Sequence, residues 1–278
     1  MNKTVMAALA ALVLAACQPA AESPAPVQAA GASAVAAPSQ APQLSVLSAA
    51  EAQQLTFEFS AATEQSRVYF NAAGEPTEQA SAGGFYRDII GKTADGRLVA
   101  QDFYQDIGKP QTAPFVLVSG ADIKDFSDQA MDSRGVWYRP DGSLYQVQDY
   151  RAGKAMGVTT FYENDLPVLQ LSEEQRKGSY FYADGRLMAE VQAIGHDPAT
   201  VKSDLTLFRA DGSRILRMVI QGENIQEVQA WDAQGQSVQP KDVQTESMPL
   251  LDKLQQIDGA TAGTQSFVMG TAAASAAQ

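Results

Sequence analysis

The sequence predicts a mainly β fold: an antiparallel meander of repeated β-hairpins, with a short helix near each end. Three observations predict it. The stretch from Gly135 to Gln170 runs Trp137-Tyr138 into Pro140-Asp141-Gly142, then a second run Leu144–Tyr150, and then Phe161-Tyr162 into Asn164-Asp165. The same phrase closes at Gly74, Gly96, Gly142, Gly185, Gly212 and Gly235, with steps of 22, 46, 43, 27 and 23 residues. The step of 43 is divided by the Asn164-Asp165 slot, and the step of 46 spans two units, so the period is near 23, a supersecondary repeat. Finally, a ring stands four residues before most of these turns (Phe70, Tyr138, Phe161, Phe181, Phe208, Trp231), and an alternating run follows. A bulky strand end, a two-residue turn of Asp-Gly type and an alternating strand make a hairpin signal.

Taken in order, residues 1–16 carry Lys3 and then an apolar run, Val5–Ala16. That run is too short to span a bilayer and has the proportions of a secretory signal. It ends Leu14-Ala15-Ala16-Cys17, which resembles the bacterial lipoprotein box. The resemblance implies that Cys17, the sole cysteine, becomes the N-terminus and carries acyl chains such as palmitate. It also implies an envelope protein anchored in a membrane, and Gln18 rather than Asp after the cysteine leans towards the outer membrane. Whether such a protein faces the periplasm or the cell surface stays open. Residues 17–43 read as an Ala/Pro-rich flexible tether. From Gln18 to Gln43 a coil would span about 28 Å.

The β domain is placed at 44–245. Ser48 with Glu51 three residues on is a capping-box pattern for a short helix, and Thr56–Ser60 alternates as a strand. In the repeats, glycine supplies the positive φ of the turn. Leu98, Leu144 and Leu187 follow their glycines by two. Both sides of Leu144–Tyr150 carry apolar groups, so alternation alone does not choose the core face. The phrase is weak at Gly96, where Gly91-Lys92 replaces the ring, and at Gly120, so Thr93–Ile123 is expected to fold irregularly. Pro249 opens a run with Leu250, Leu251, Leu254 and Ile257 on one stripe, predicting a terminal helix over 246–258 that stops at Gly259. Residues 259–278 read as a disordered tail.

The phrase aromatic-Tyr-x-x-Asp-Gly-x-Leu, with Tyr150-Arg151-Ala152-Gly153 after it, resembles the MORN-repeat variant of bacterial, antitoxin-like proteins. The likeness covers roughly Arg67–Pro240. It implies a β-hairpin array serving as a scaffold or binding surface, without catalysis.

Composition narrows the chemistry. The formal charge is −12 and the pI about 4.5, so nucleic acid is a poor partner. One cysteine and one histidine, His196, are too few to build a Cys/His zinc cage. His196 beside Asp197 lacks a nucleophile elbow and reads as a loop residue. Asp122, Asp125, Asp128 and Asp132 lack the spacing of a tight calcium loop. Asp95, Asp141, Asp184 and Asp211 are accounted for by turn chemistry. No catalytic residue, metal ligand or cofactor is assigned. The remaining candidates are rings: Trp137, Tyr138, Phe161, Tyr162, Tyr180, Tyr182 and Trp231. They form either a core ladder or, since doublets point to opposite faces, an exposed face for a protein or envelope polysaccharide. Two other classes stay open, a lipid carrier or chaperone with an apolar cavity and a hydrolase acting through acidic residues.

Overall fold

The computed structural model describes residues 46–197, 200–222 and 224–268. The signal segment, Cys17 and the tether lie outside the described residues, as do residues 269–278 of the expected tail. The fold is mainly β and antiparallel. Two compact units divide it: one is built on Ser45–Gln175, the other on Arg176–Tyr182 with Arg186–Asp258.

The first unit begins with helix α1 (Ala49–Ala52), closed by the predicted Ser48–Glu51 capping box. Its strands are β1 (Ser60–Phe70), β2 (Pro76–Thr77), β3 (Phe85–Lys92), β4 (Leu98–Tyr104), β5 (Phe115–Val116), β6 (Arg134–Tyr138), β7 (Leu144–Arg151), β8 (Lys154–Glu163) and β9 (Leu166–Ser172). The first five form a sheet in the order β2-β1-β3-β4-β5, while β6 to β9 pair in chain order. The second unit holds β10 (Lys177–Phe181), β11 (Leu187–Ile194), β12 (Lys202–Phe208), β13 (Arg214–Gln221), β14 (Asn224–Trp231), β15 (Ser237–Val238) and helix α2 (Gln244–Val268). Its strands also pair in chain order.

Each of the six glycine turns closes a hairpin, with one register. The residue four before the glycine faces the residue two after it: Phe70 and Pro76, Lys92 and Leu98, Tyr138 and Leu144, Phe181 and Leu187, Phe208 and Arg214, Trp231 and Ser237. The turn itself differs from the two-residue form expected. Arg139 N–H donates to Ser143 O at 2.9 Å and Gly142 N–H to Arg139 O at 2.8 Å. This is a three-residue loop, a type I turn followed by a left-handed glycine, with φ +95° at Gly142. Asp141 sits at the third turn position, where its carboxylate accepts from Ser143 N–H at 2.8 Å. Asp211 does the same for Ser213 at 2.8 Å. Asn164-Asp165 alone among the repeat turns is a two-residue turn, with φ of 51° and 60°.

Successive hairpins are fastened by a recurring donor three residues before the turn position. Arg139 Nη2 donates to Tyr162 O at 2.7 Å, Tyr182 Oη to Phe208 O at 2.7 Å, and Arg209 Nη2 to Trp231 O at 2.9 Å. Tyr182 and Arg209 reach the ring residue of the next repeat and Arg139 the residue beside it, so the period carries a hydrogen bond as well as a turn.

The Thr93–Ile123 stretch departs from the repeat, as expected. Gly91 stands where a ring would be because a Cβ there would lie 2.3 Å from Ser60 O and 2.5 Å from Phe59 Cδ2. The segment 110–113 links β4 to β6. Gln111 and Thr112 N–H donate to Asp102 O, Ala113 N–H to Val136 O, and Tyr138 N–H to Gln111 O. One core cluster joins Ile89, Ala100, Phe115, Leu117, Ala130, Met131 and Tyr150, with Trp137 against it. Another joins Ala52, Ala113, Val136, Leu144, Val147 and Tyr162, with Ala49 and Tyr138 against it. Both faces of β6 therefore meet a core cluster, whereas residues 154–158 of β8 are exposed.

Two boundaries are corrected. Thr56–Phe59 is not strand, since pairing begins at Ser60. The terminal helix begins at Gln244 and runs through Gly259 to Val268, after a 3-10 turn Pro240–Val243. One interior glycine costs about 1 kcal/mol and is not by itself a stop. Leu251, Leu254 and Ile257 are buried along the helix, and Val243 in the turn before it. The β1–β3 ladder shifts register between Ala61 and Ser66, and the β13–β14 ladder between Val219 and Ile220.

Tyr180 Oη donates to Asp258 Oδ1 on α2 at 2.7 Å. Burial holds the Asp258 carboxyl above its ordinary 3.8, offset in part by that hydrogen bond. A raised carboxyl makes folding less favourable once ionised. Its contribution therefore improves as pH falls through the raised value and is complete below the unfolded one. Asp258→Asn keeps the acceptor without the charge. In urea melts the variant should match or exceed the wild type at pH 7, and the wild type should gain on it by pH 4. A difference independent of pH would refute the reading.

Candidate binding face

The predicted rings are structural. Phe161, Tyr162 and Tyr180 are buried, at 3%, 0% and 1% exposure, which rules them out as an exposed binding surface. The two tyrosine hydroxyls are also committed: Tyr162 Oη donates to Leu47 O at 3.0 Å, and Tyr180 Oη to Asp258. Trp137 and Tyr138 do point to opposite faces, but each packs against a different core cluster. Tyr182 and Trp231 are half-buried within the hairpin fastenings, and Arg214 lies 5.8 Å from the Trp231 ring centre. The strand doublets do place rings on both faces; the fold then covers both.

The turn and loop aspartates are also occupied. Asp95 accepts from Thr93 Oγ1 and Arg97 Nε, and those bonds hold its carboxyl below the usual range. Asp132 takes Arg97 Nη1 at 2.6 Å and Ala152 N–H at 2.6 Å. Asp122 and Asp125 cap Lys124 and Ser127 N–H. Asp128 accepts from Tyr150 Oη at 3.0 Å, and its carboxyl is raised by burial. Among the described residues no group of three or more His, Cys, Asp or Glu is placed to hold a metal ion. His196 Nδ1 lies 3.3 Å from Arg176 Nη1 at an exposed turn.

A different set of side chains comes together on the five-stranded sheet. Register places Tyr69 beside Tyr86 and Tyr86 beside Phe103, and in the next row Arg67 beside Asp88 and Asp88 beside Gln101. Strand alternation puts both rows on one face. The opposite face carries Phe70, Phe85, Arg87 and Asp102 and is the core side. Tyr86 and Phe103 stack with centroids 4.8 Å apart and planes 7° apart. The Arg67 guanidinium covers Tyr86 at 3.9 Å from the ring centre. Arg67 Nε and Nη2 reach the two oxygens of Asp88 at 2.7 and 2.8 Å. The Arg67 side chain is 41% exposed and that of Asp88 11%. Asp88 holds the Arg67 guanidinium firmly protonated.

Arg67, Tyr86 and Phe103 are thus held against one another, with Arg67 tied to Asp88. Sequence reading missed it for a specific reason. Counting one-to-one from the Gly96 turn would align Tyr86 with Tyr104. A one-residue bulge between Ile89 and Gly91 shifts the partner to Phe103. The pairs Arg67-x-Tyr69, Tyr86-x-Asp88 and Gln101-x-Phe103 were the available signal. No protein-family model matches this chain, and no curated protein matches it either.

Proposed function

We propose a non-catalytic, lipid-anchored protein of the outer membrane whose β-hairpin array, of the kind the MORN-repeat resemblance implies, presents a surface to another envelope protein. The anchor is the acylated Cys17. One observation carries the binding part of this reading: Arg67, Tyr86 and Phe103 are stacked and fixed on an outward face, with Arg67 held bidentate by Asp88. Tyr and Arg are the side chains that dominate protein–protein hot spots, and prior ordering lowers the entropy lost on association. Both faces of Tyr86 are taken, by Arg67 and by Phe103. It offers an edge and a hydroxyl rather than a flat surface for a sugar ring, which favours a protein over a polysaccharide.

The test compares wild type with Arg67→Ala/Tyr86→Ala and with Cys17→Ser. Wild type should fractionate with membranes and cross-link a discrete protein species in envelope preparations. The double variant should keep its far-ultraviolet dichroism and lose that species at least tenfold. Cys17→Ser should move to the soluble fraction. Equal cross-linking by the double variant would defeat the binding face. Co-sedimentation with isolated envelope polysaccharide instead would transfer the reading to a sugar ligand.

A further inference from the structure

Residues 46–59 cross the first unit as a strap, held at two small footprints. At one, α1 places Ala52, fully buried, and Ala49 against Ala113, Val136, Leu144, Val147 and Tyr162. At the other, the Phe59 ring sits over Gly91. Between them no strand forms, and Leu55 is 47% exposed. A hydrogen bond ties the strap to the sheet just before α1, Tyr162 Oη to Leu47 O at 3.0 Å.

The contributions are unequal. The strap covers with alanines a bed made of valine, leucine and tyrosine. A helix of four residues is far too short to hold its own shape without that bed. Its capping box, Ser48 Oγ to Glu51 N–H and Glu51 to Ser48 N–H, is internal and survives or fails with the helix. The strands below are fastened by the β6–β7 and β7–β8 ladders, and Tyr138 N–H donates to Gln111 O of the 110–113 link at 2.8 Å. Segments with few buried apolar contacts and exposed backbone open at lower free energy than the ladders beneath them.

We propose that residues 46–59 are a detachable lid, which opens while the β6–β8 meander stays folded and uncovers the apolar bed of Val136, Leu144, Val147 and Tyr162. Opening adds the fourteen residues 46–59 to the chain between Cys17 and the sheet. Fully extended, they add up to roughly 50 Å of reach. The lid does not depend on the Arg67 face binding anything.

Hydrogen exchange on the intact chain, read by mass spectrometry in native buffer, tests it. The amides of Ala52, Gln53 and Gln54, bonded to Ser48, Ala49 and Glu51 carbonyls, should exchange at least 100-fold faster than the Tyr138 amide. They should still exchange measurably slower than an unstructured peptide. Low denaturant should leave the strap amides nearly unchanged, the mark of a small opening. Tyr162→Phe should speed the strap a further several-fold and leave the Tyr138 amide where it was. Exchange of strap and Tyr138 amides at one common rate would overturn the proposal. So would strap amides at the unstructured rate in the wild type, because a lid must have a closed state.

Discussion

Replacing Arg87 with leucine is expected to be the most damaging single change in the first unit, at about 3–5 kcal/mol of stability. Arg87 is 0% exposed and Asp102 3%. Its Nε and Nη2 meet the two Asp102 oxygens at 2.7 and 2.9 Å, and Nη1 donates to Asp125 O at 2.7 Å and Ile123 O at 3.3 Å. The rings of Phe70, Phe115 and Phe126 surround it with centres 5.2–5.6 Å away. Leucine fills much of the space but leaves a carboxylate and two carbonyls in a dry site without their donor. Asp102→Leu should cost a similar amount by stranding the guanidinium. The double variant should cost clearly less than the sum, since no ionised partner is left unpaired. Urea unfolding of the four proteins gives the cycle. Strict additivity would show that the pair does not act as one unit.

Arg87 also shows how far the sequence could be read. The repeat phrase made the hairpins legible, because a ring, an Asp-Gly turn and an alternating strand are local signals that the fold reproduced at Gly142, Gly185 and Gly212. The Ser48 helix was legible for the same reason. Nothing local marks Arg87 as buried. Its neighbours in sequence are Tyr86 and Asp88, one outward and one paired with Arg67, and its partners lie 15 to 38 positions away. The binding face was hidden by the same kind of distance, since one bulge at Ile90 changes which ring faces Tyr86. The rings that were legible proved to be scaffolding. In a repeat, the positions that recur are those every hairpin needs. Tyr162, Tyr180 and Tyr182 recur because each ties its hairpin to something else. Candidate function sits instead where the period breaks: around Gly91, the 110–113 link and the outward row of the first sheet.

Gly153→Ala is expected to cost about 3 kcal/mol, against about 1 kcal/mol for Gly142→Ala, although both glycines close hairpins at positive φ. Gly142, at φ +95°, has nothing within 4 Å of an added Cβ, so alanine there meets only backbone strain. Gly153, at φ +77°, would place its Cβ 2.3 Å from Gln129 O and 3.2 Å from the same carbonyl carbon. That neighbour is backbone of the 3-10 turn Asp128–Ala130, and it cannot yield as a flexible side chain would. The turn is fixed in turn by Gly153 N–H to Met131 O at 3.0 Å and by Ala152 N–H to Asp132 at 2.6 Å. Pushing it away moves Ala130 and Met131, both at 3% exposure or less in the core. The Tyr-x-x-Gly that follows the repeat phrase is thus a docking point, where the β7–β8 tip is seated on the 3-10 turn Asp128–Ala130. Thermal or urea unfolding of the two variants side by side measures the difference. Equal losses would mean that the tip is not seated and that Gly153 serves its turn alone.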